Sequence, residues 1–287
     1  MSPRKRLPIP LTTIGRPLDL RTSSNLAIVV IFFAALVGAT VAFGLLGASW
    51  SIAARKGLSL AGAVFFAWAV ARETDPDRPT SAFLAACGAC AGAALLGGPH
   101  FLLLFWFLLA LRTINRSTGV PPGALDWVGL YGIKLWLGYS AHWAIPMLSS
   151  PTLLFAGLQR LPKGLRIALP LALPAATIGY GFAHRWRFEL PQWPGVEAIV
   201  LAAVALATIP VIVSYRKVRS VGDRTGAPLV PHRVQWGLGW AVVAAAILTL
   251  SGTATLADLA PIWSALAGTS LGWAIGAALR GVRAQRK

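Results

Sequence analysis

Long apolar runs, separated by short stretches of charged residues, proline and glycine, recur along the whole chain. A helix needs about 20 apolar residues to cross the hydrocarbon core of a bilayer, where it satisfies its own backbone hydrogen bonds. The sixth run is short and has an early proline, so it is a candidate half-helix or re-entrant segment. The pattern predicts nine to ten spans, with candidates at 25–47, 52–71, 80–97, 99–112, 124–145, 147–160, 165–184, 194–214, 234–251 and 256–279.

Composition supports this pattern. Hydrophobic residues make up 56% of the 287 positions and charged residues only 12%, whereas soluble domains carry about 25% charged residues. The first apolar run is longer than the 7 to 15 residues, roughly, of a signal-peptide core, so it is interpreted as an uncleaved first span. The sequence therefore predicts an all-α polytopic transmembrane helix bundle with about 10 spans, and the lipid bilayer as its surroundings.

The chain is strongly basic, with 26 Lys and Arg against 9 Asp and Glu. In a soluble protein such an excess suggests nucleic-acid binding, but here the basic residues fall between apolar runs, as the positive-inside rule requires. No nucleic-acid partner is therefore expected. Most of the basic residues share one side if the N-terminus is cytoplasmic, which places both termini in the cytoplasm and the protein in the plasma (inner) membrane. The expected parts are a basic N-terminal segment (1–24), one transmembrane domain (25–279) and a basic tail (280–287).

Two spans carry glycines at a spacing that favours close helix packing. The third span contains Gly88 and Gly92, and the tenth contains Gly268, Gly272 and Gly276. We expect both faces to contact other helices, and a homo-oligomer or a membrane partner through these faces is possible. In the seventh candidate span, Pro170 and Pro174 predict a kink, with either a packing role or a gating role.

The most polar stretch inside the apolar region is RETDPDRPT at 72–80. Its alternating acids, Glu73, Asp75 and Asp77, can hold Mg²⁺ against a diphosphate, with the flanking Arg72 and Arg78 neutralising phosphate charge. The alternative is a solvated turn in which the prolines break the helix and the charges pair with one another. Mg²⁺ is expected only under the first interpretation, and the cofactor is otherwise unknown.

Three short motifs in predicted cytoplasmic loops share an Asp or Asn, an Arg and a hydroxyl residue: DRPT at 77–80, NRSTG at 115–119 and DRTG at 223–226. Arg116 and Arg224, together with backbone amides of these turns, are candidates for binding an anion. The same residues also suit a device that ends one helix and starts the next. Both interpretations are open from the sequence.

A few residues in RETDPDRPTSA and DRTGAPLVPHR resemble the aspartate-rich cytoplasmic loops of membrane prenyltransferases related to ubiquinone biosynthesis. The Asn and Asp spacing that defines the first motif of that family is absent, and the number of spans differs. Length, span number and cytoplasmic ends are also similar to the drug and metabolite transporter superfamily, without a shared motif. Neither similarity assigns a family.

Lys134 lies near the centre of the fifth span, where a charge is costly and marks a paired or functional site. Tyr131 shares its helix face, and Asp126, about two turns away, is a candidate partner, as are Asp258 and Glu197. A structural salt bridge and an anion-binding or coupling role are both open. No metal site is predicted, because the histidines lack ligand spacing and Cys87 and Cys90 lie within a helix.

Three hypotheses for function follow. The first is a carrier for a small anionic or amphipathic metabolite, with Lys134, Tyr131 and Asp126 at a central cavity. The second is a membrane-embedded enzyme acting on a lipid or prenyl (di)phosphate at the cytoplasmic face, through a phosphate and metal cluster formed by Glu73, Asp75, Asp77, Arg78, Arg116 and Arg224. The third is an assembly subunit without a ligand of its own.

Overall fold

The computed structural model describes residues 12–139 except residue 17, and residues 195–285, together with isolated positions between these ranges. Within them the chain forms eight α-helices and no strand. The helices are α1 (Ser23–Leu45), α2 (Trp50–Thr74), α3 (Pro79–Leu96), α4 (Phe101–Asn115), α5 (Ala124–Tyr139), α6 (Gly195–Ser214), α7 (Pro231–Leu250) and α8 (Leu256–Gln285).

Six of the described helices, α1, α2, α3, α6, α7 and α8, are long and apolar enough to cross a membrane. This finding indicates a multi-pass membrane protein and confirms the predicted all-α class. The helix α4 is apolar but shorter. The predicted spans at 147–160 and 165–184, with the kink at Pro170 and Pro174, lie outside the described residues apart from isolated positions. The total of ten spans therefore stays a prediction.

The stretch RETDPDRPT forms the end of one helix and the start of the next. The helix α2 ends at Thr74, two residues before Pro76, and α3 begins with Pro79 in its first turn. Proline lacks an amide hydrogen, which is no loss at the start of a helix, where that group has no helical partner. At the end of α4, Arg116 adopts the left-handed conformation, with φ of 50°, and reverses the chain. The predicted helix-stop role of RETDPDRPT and NRSTG is confirmed.

The glycine-spaced faces of α3 and α8 pack against each other. A Cβ atom added at Gly268 would lie 2.6 Å from the backbone nitrogen of Ala85, and one added at Gly92 would lie 3.2 Å from Cβ of Ala260. Only a missing side chain permits backbones to approach so closely. The predicted helix contacts are confirmed within the chain, whereas a partner chain at these faces stays a prediction.

An aromatic core joins α4 to α7. Trp106 and Phe107 are fully buried, and the rings of Phe107 and Trp240 lie 4.8 Å apart between centroids, within the range of favourable aromatic pairs. In contrast, α1 packs along α2 but exposes most of its apolar side chains, as a helix in contact with lipid does. The connections from α2 to α3, from α4 to α5 and from α6 to α7 contact one another, as Ser220 does with Asp77 and Asp223 with Ser117. These three connections therefore lie at the same end of the bundle.

Candidate functional site in the loop layer

Four segments meet at this end, and we call them the loop layer: residues 12–22, 75–78, 116–123 and 215–230. The first segment folds back onto the bundle. The side-chain oxygens of Asp126, at the start of α5, accept hydrogen bonds from the hydroxyls of Thr12 and Thr13 and from the backbone amide of Gly123. Asp126 therefore anchors the N-terminal segment and caps α5.

Glu73, in the last turn of α2 next to the loop layer, forms ion pairs with two arginines. Its side chain is 1% exposed, and its Oε1 accepts from Arg16 Nη1 at 2.9 Å and from Arg112 Nε at 3.1 Å. Its backbone carbonyl accepts from the Asn115 amide at 2.7 Å. Two guanidinium groups compensate the cost of burying this carboxylate. Glu73 thereby ties the N-terminal segment to α2 and α4.

Asp75 has a separate set of donors. Its fully buried carboxylate accepts from Arg78 at 3.1 and 3.2 Å, from the hydroxyl of Ser81 and from the hydroxyl of Tyr215. Burial raises the pKa of Asp75 above its ordinary value, although these three donors oppose the shift. Burial and the neighbouring Asp75 charge together raise the pKa of Tyr215. The pair connects the turn between α2 and α3 to the end of α6.

Asp77 points to a third set of partners. Its carboxylate accepts from the backbone amides of Arg219 and Ser220 and from the Ser220 hydroxyl, at distances of 2.8 to 3.1 Å. The three acids of RETDPDRPT therefore do not converge. No group of three metal-ligating side chains occurs among the described residues, so the geometry does not assemble the Mg²⁺ cluster that the spacing suggested.

The motifs NRSTG and DRTG lie against each other. The amides of Asp223 and Arg224 donate to the carbonyls of Ser117 and Thr118 at 3.4 and 3.2 Å. A Cβ atom added at Gly222 would lie 2.8 Å from the backbone of Gly119. DRTG forms a tight turn closed by a hydrogen bond from Gly222 to Ala227, so it is not a helix cap. The structure brings all three motifs into one layer through contacts between loops.

A groove of about 690 Å³ runs from the loop layer down the side of α2 and α4. Its upper end is charged, and its lower end is apolar, so the groove is amphipathic along its length. Phe105 is 43% exposed in its wall, whereas Trp68 is 5% exposed. The charged residues that line it are Arg16, Asp19, Arg72, Glu73, Arg112, Asp223 and Arg224, and the large apolar ones are Leu18, Phe65, Phe66, Trp68, Phe105 and Leu108.

Two side chains in the wall of the groove have unused hydrogen-bonding capacity. The indole N–H of Trp68 is buried and has no hydrogen-bond partner among the described residues. Arg72 donates to the carbonyl of Pro76 at 3.3 Å, and no carboxylate that the structure describes forms an ion pair with it. Buried polar groups such as the Trp68 N–H are normally satisfied, and Arg72 is only partly buried, so both side chains are suited to an oxygen-rich ligand.

A second, smaller cavity of about 290 Å³ adjoins the groove on the other side of Arg72 and Glu73. Its walls are mainly polar. Arg16, Arg72, Glu73 and Asp223 line both spaces. The residues that line the small cavity alone are Pro76, Asn115, Ser117, Arg219, Ser220, Val221 and Leu229.

The sequence-predicted phosphate cluster is therefore divided. Glu73 and Arg224 line the groove, but Asp75, Asp77, Arg78 and Arg116 line neither cavity. Sequence reasoning missed Arg16 and Arg112 as site residues, and considered Arg72 only as a flanking arginine of RETDPDRPT, because it followed the three motifs. A usable signal was present, since all three arginines fall at one predicted membrane boundary, where their side chains are able to converge.

The burial predicted for Lys134 is confirmed, since it is 1% exposed. Its ammonium lies 4.9 Å from the ring centroid of Tyr131, a cation–π contact. The suggested partnership with Asp126 is wrong, because that carboxylate holds Thr12, Thr13 and Gly123. Asp258 caps the start of α8 through Thr255. Neither Lys134 nor Tyr131 lines the groove or the small cavity.

Comparison of the chain with protein-family models, curated proteins and solved structures gave no match.

Proposed function

We propose that this membrane protein binds an amphipathic phosphorylated lipid, such as a prenyl or glycerolipid phosphate, in the groove of the loop layer. The observation that carries the proposal is the polarity of the groove, which changes from arginine at the loop layer to aromatic side chains along α2 and α4. Ligand sites combine an apolar lining with a few placed polar groups. Phe105 is partly exposed, which favours entry of an acyl or prenyl chain from the side.

The charge around Arg72 favours an anionic head group. Arg16 is paired with Glu73 and Asp223, and Arg112 with Glu73. Arg72 retains most of its five donors, and a guanidinium binds phosphate oxygens in bidentate fashion. The free indole N–H of Trp68 lies deeper in the groove wall, where it is suited to donate to a phosphate, ester or hydroxyl oxygen of the ligand.

The orientation of the bundle is part of the proposal. With ten spans and both termini in the cytoplasm, the loop layer faces the cytoplasm of a cell whose plasma (inner) membrane holds the protein. The helix α5 leaves the loop layer and α6 returns to it, which supports this arrangement. Cytosolic phosphorylated compounds then reach the groove directly. We place the protein with enzymes that modify lipid or prenyl phosphates.

Binding of farnesyl phosphate to the detergent-purified protein tests this function. Titration calorimetry should show saturable binding of farnesyl phosphate and at least about tenfold weaker binding of farnesol, since a charged hydrogen bond contributes about 1.5 to 3 kcal/mol. Arg72→Gln should weaken farnesyl phosphate binding about tenfold. Trp68→Phe, which keeps the aromatic ring, should weaken it about threefold to tenfold.

Lys134→Met is the matched control, because Lys134 is a buried cation outside both cavities. The affinity of the Lys134→Met variant for farnesyl phosphate should stay within about twofold of the wild-type value, since no ligand contact is lost. Equal binding of farnesol and farnesyl phosphate, or an unchanged affinity in Arg72→Gln, would show that the groove does not bind a phosphate head group.

A carrier for a small anionic metabolite is the second candidate, and one observation favours it. Lys134 is buried in α5 beside Tyr131, whose buried hydroxyl has no hydrogen-bond partner among the described residues. A buried ammonium next to an unused hydroxyl is suited to a passing anion. Uptake of metabolite anions into proteoliposomes should then be lost in Lys134→Met and retained in Arg72→Gln. The opposite pattern would exclude this candidate.

A further inference from the structure

The small cavity next to the groove has the chemistry of a second ligand site. Its lining includes three arginines and two carboxylates, with Arg112 paired to Glu73 from the groove side. Arg16 is held by both carboxylates, so the positive charge of Arg72 and Arg219 is left to attract an anion. A cleft lined by an excess of one sign of charge raises the local concentration of ions of the opposite sign.

The wall of the small cavity also contains residues with unused hydrogen-bond acceptor atoms. The Oε2 atom of Glu73 is buried and has no hydrogen-bond partner among the described residues, and the same holds for the hydroxyl of Ser117. Ser117 is 3% exposed, and its hydroxyl lies near the Glu73 carboxylate. A buried carboxylate oxygen without a donor is costly. A ligand hydroxyl or ammonium is able to supply that donor.

A third buried atom without a partner, Oδ1 of Asn115, does not contribute to this site. It lies against Gly237 of α7, where an added Cβ atom would collide with it. The side-chain nitrogen of Asn115 is used by the carbonyl of Glu73. Asn115 therefore holds the wall in place, while Arg72, Glu73 and Ser117 present the unused polar groups.

From this arrangement we infer that the small cavity binds a small anion that also carries a hydrogen-bond donor, with the anion at Arg72 and Arg219 and the donor at Glu73 and Ser117. The volume of about 290 Å³ holds a molecule of roughly ten heavy atoms, since one water occupies about 30 Å³ of liquid. Phosphorylated polyols have this size and chemistry. The site extends the proposed function by placing a polar second ligand beside the lipid phosphate.

The test uses sn-glycerol 3-phosphate as the probe, with inorganic phosphate and glycerol as partial probes, in titration calorimetry of the full-length protein in detergent. Binding of sn-glycerol 3-phosphate should be at least about fivefold tighter than binding of inorganic phosphate, and glycerol should not bind measurably, because the two halves of the site act together. Equal binding of inorganic phosphate and sn-glycerol 3-phosphate would overturn the inference.

Variants separate the two spaces. Ser117 and Arg219 line only the small cavity, and Phe105 lines only the groove. Ser117→Ala removes a hydroxyl without a hydrogen-bond partner, and Arg219→Gln keeps the backbone contact with Asp77, so both variants should fold. Affinity for sn-glycerol 3-phosphate should fall about threefold in Ser117→Ala and about tenfold in Arg219→Gln, and stay within about twofold in Phe105→Ala.

The inference and the proposed function fail separately. If sn-glycerol 3-phosphate does not bind while farnesyl phosphate does, the second site is wrong and the lipid site stands. If only sn-glycerol 3-phosphate binds, with the variant pattern above, the small cavity is confirmed and the lipid proposal is wrong. Weakening by Phe105→Ala with no effect of Ser117→Ala and Arg219→Gln would place the probe in the groove and overturn the inference.

Discussion

Arg16 and Glu73 are 57 residues apart in the chain, yet Arg16 Nη1 lies 2.9 Å from Glu73 Oε1. Arg16 belongs to the N-terminal segment, and Glu73 to the last turn of α2. The same arginine also pairs with Asp223 in the connection between α6 and α7. One guanidinium thus joins the N-terminal segment, the end of α2 and the connection between α6 and α7, and it lines both cavities.

The two carboxylates bound by Arg16 should differ in their contribution to stability. Glu73→Gln should lower the free energy of unfolding by about 3 kcal/mol, because it leaves Arg16 and Arg112 without a buried counter-charge. Asp223 is 40% exposed, so Asp223→Asn should cost at most about 1 kcal/mol. Denaturant unfolding in detergent measures both. Equal losses in the two variants would contradict the role of Glu73 as the central anion.

Glu73→Gln should also release the N-terminal segment from the bundle. Limited proteolysis should then cleave within residues 12–22 faster than in the wild-type protein, because the segment is held by Arg16 and by Thr12 and Thr13 on Asp126. Asp126→Asn should have the same effect on cleavage. Protection that is unchanged in both variants would show that other contacts hold the segment.

Helix packing between α3 and α8 gives a prediction that does not involve the ligand site. Gly268→Ala would place Cβ 2.6 Å from the Ala85 nitrogen, and because backbone cannot yield as a side chain does, stability should fall by about 1 to 3 kcal/mol. Gly239→Ala in α7 is the control, since no atom lies within 4 Å of its added Cβ. That variant should be neutral or gain up to about 1 kcal/mol. Thermal unfolding of the two variants measures both changes in stability.

Close approach of two loops gives a parallel test of the loop layer. Gly222→Ala would place Cβ 2.8 Å from Cα and N of Gly119, so the two loops must separate. We expect a loss of about 1 to 3 kcal/mol in stability and weaker binding of farnesyl phosphate. Gly123→Ala has only ordinary contacts, at 3.6 Å and beyond, and should leave both measurements unchanged. Normal binding by Gly222→Ala would show that the docking of these loops does not shape the groove.

The pair of Asp75 and Tyr215 predicts a dependence of stability on pH. Burial raises the pKa of Asp75, so between its unfolded pKa, about 4, and its folded pKa the native state binds more protons than the unfolded state. The contribution to stability is therefore fully present below the unfolded pKa and is lost as the pH rises through the folded pKa. Tyr215→Phe removes a hydrogen-bond donor that lowers the pKa of Asp75. The folded pKa of Asp75 should therefore rise further in this variant, and the loss of stability should extend to higher pH.

Free energies of unfolding measured from pH 4 to pH 8 test whether the contribution of Asp75 to stability falls as the pH rises. Asp75→Asn should remove this contribution to the slope in both the wild-type and the Tyr215→Phe background, because no titrating group is left at that position. A contribution from Asp75 that increases stability as the pH rises would show that the donors of Arg78, Ser81 and Tyr215 outweigh burial.

Much of the fold follows from sequence because the bilayer imposes it. Helices in lipid must be long, apolar and internally hydrogen-bonded, so the runs at 25–47 and 52–71 predict α1 and α2 to within a few residues. The prolines of RETDPDRPT mark a helix end and a helix start for reasons of local covalent geometry. The GxxxG spacing identifies packing faces for the same kind of local reason.

Sequence alone determined a multi-pass helical protein with a basic, loop-rich end, because hydrophobic length and charge are properties of single segments. Only the tertiary structure decided which charges pair. Asp126 lies two turns from Lys134 on one helix but binds Thr12. The three acids of RETDPDRPT bind partners from different segments: Glu73 binds Arg16, Asp75 binds Tyr215, and Asp77 binds Ser220. Side-chain partners depend on how helices are arranged around the bundle, and no local spacing encodes that arrangement.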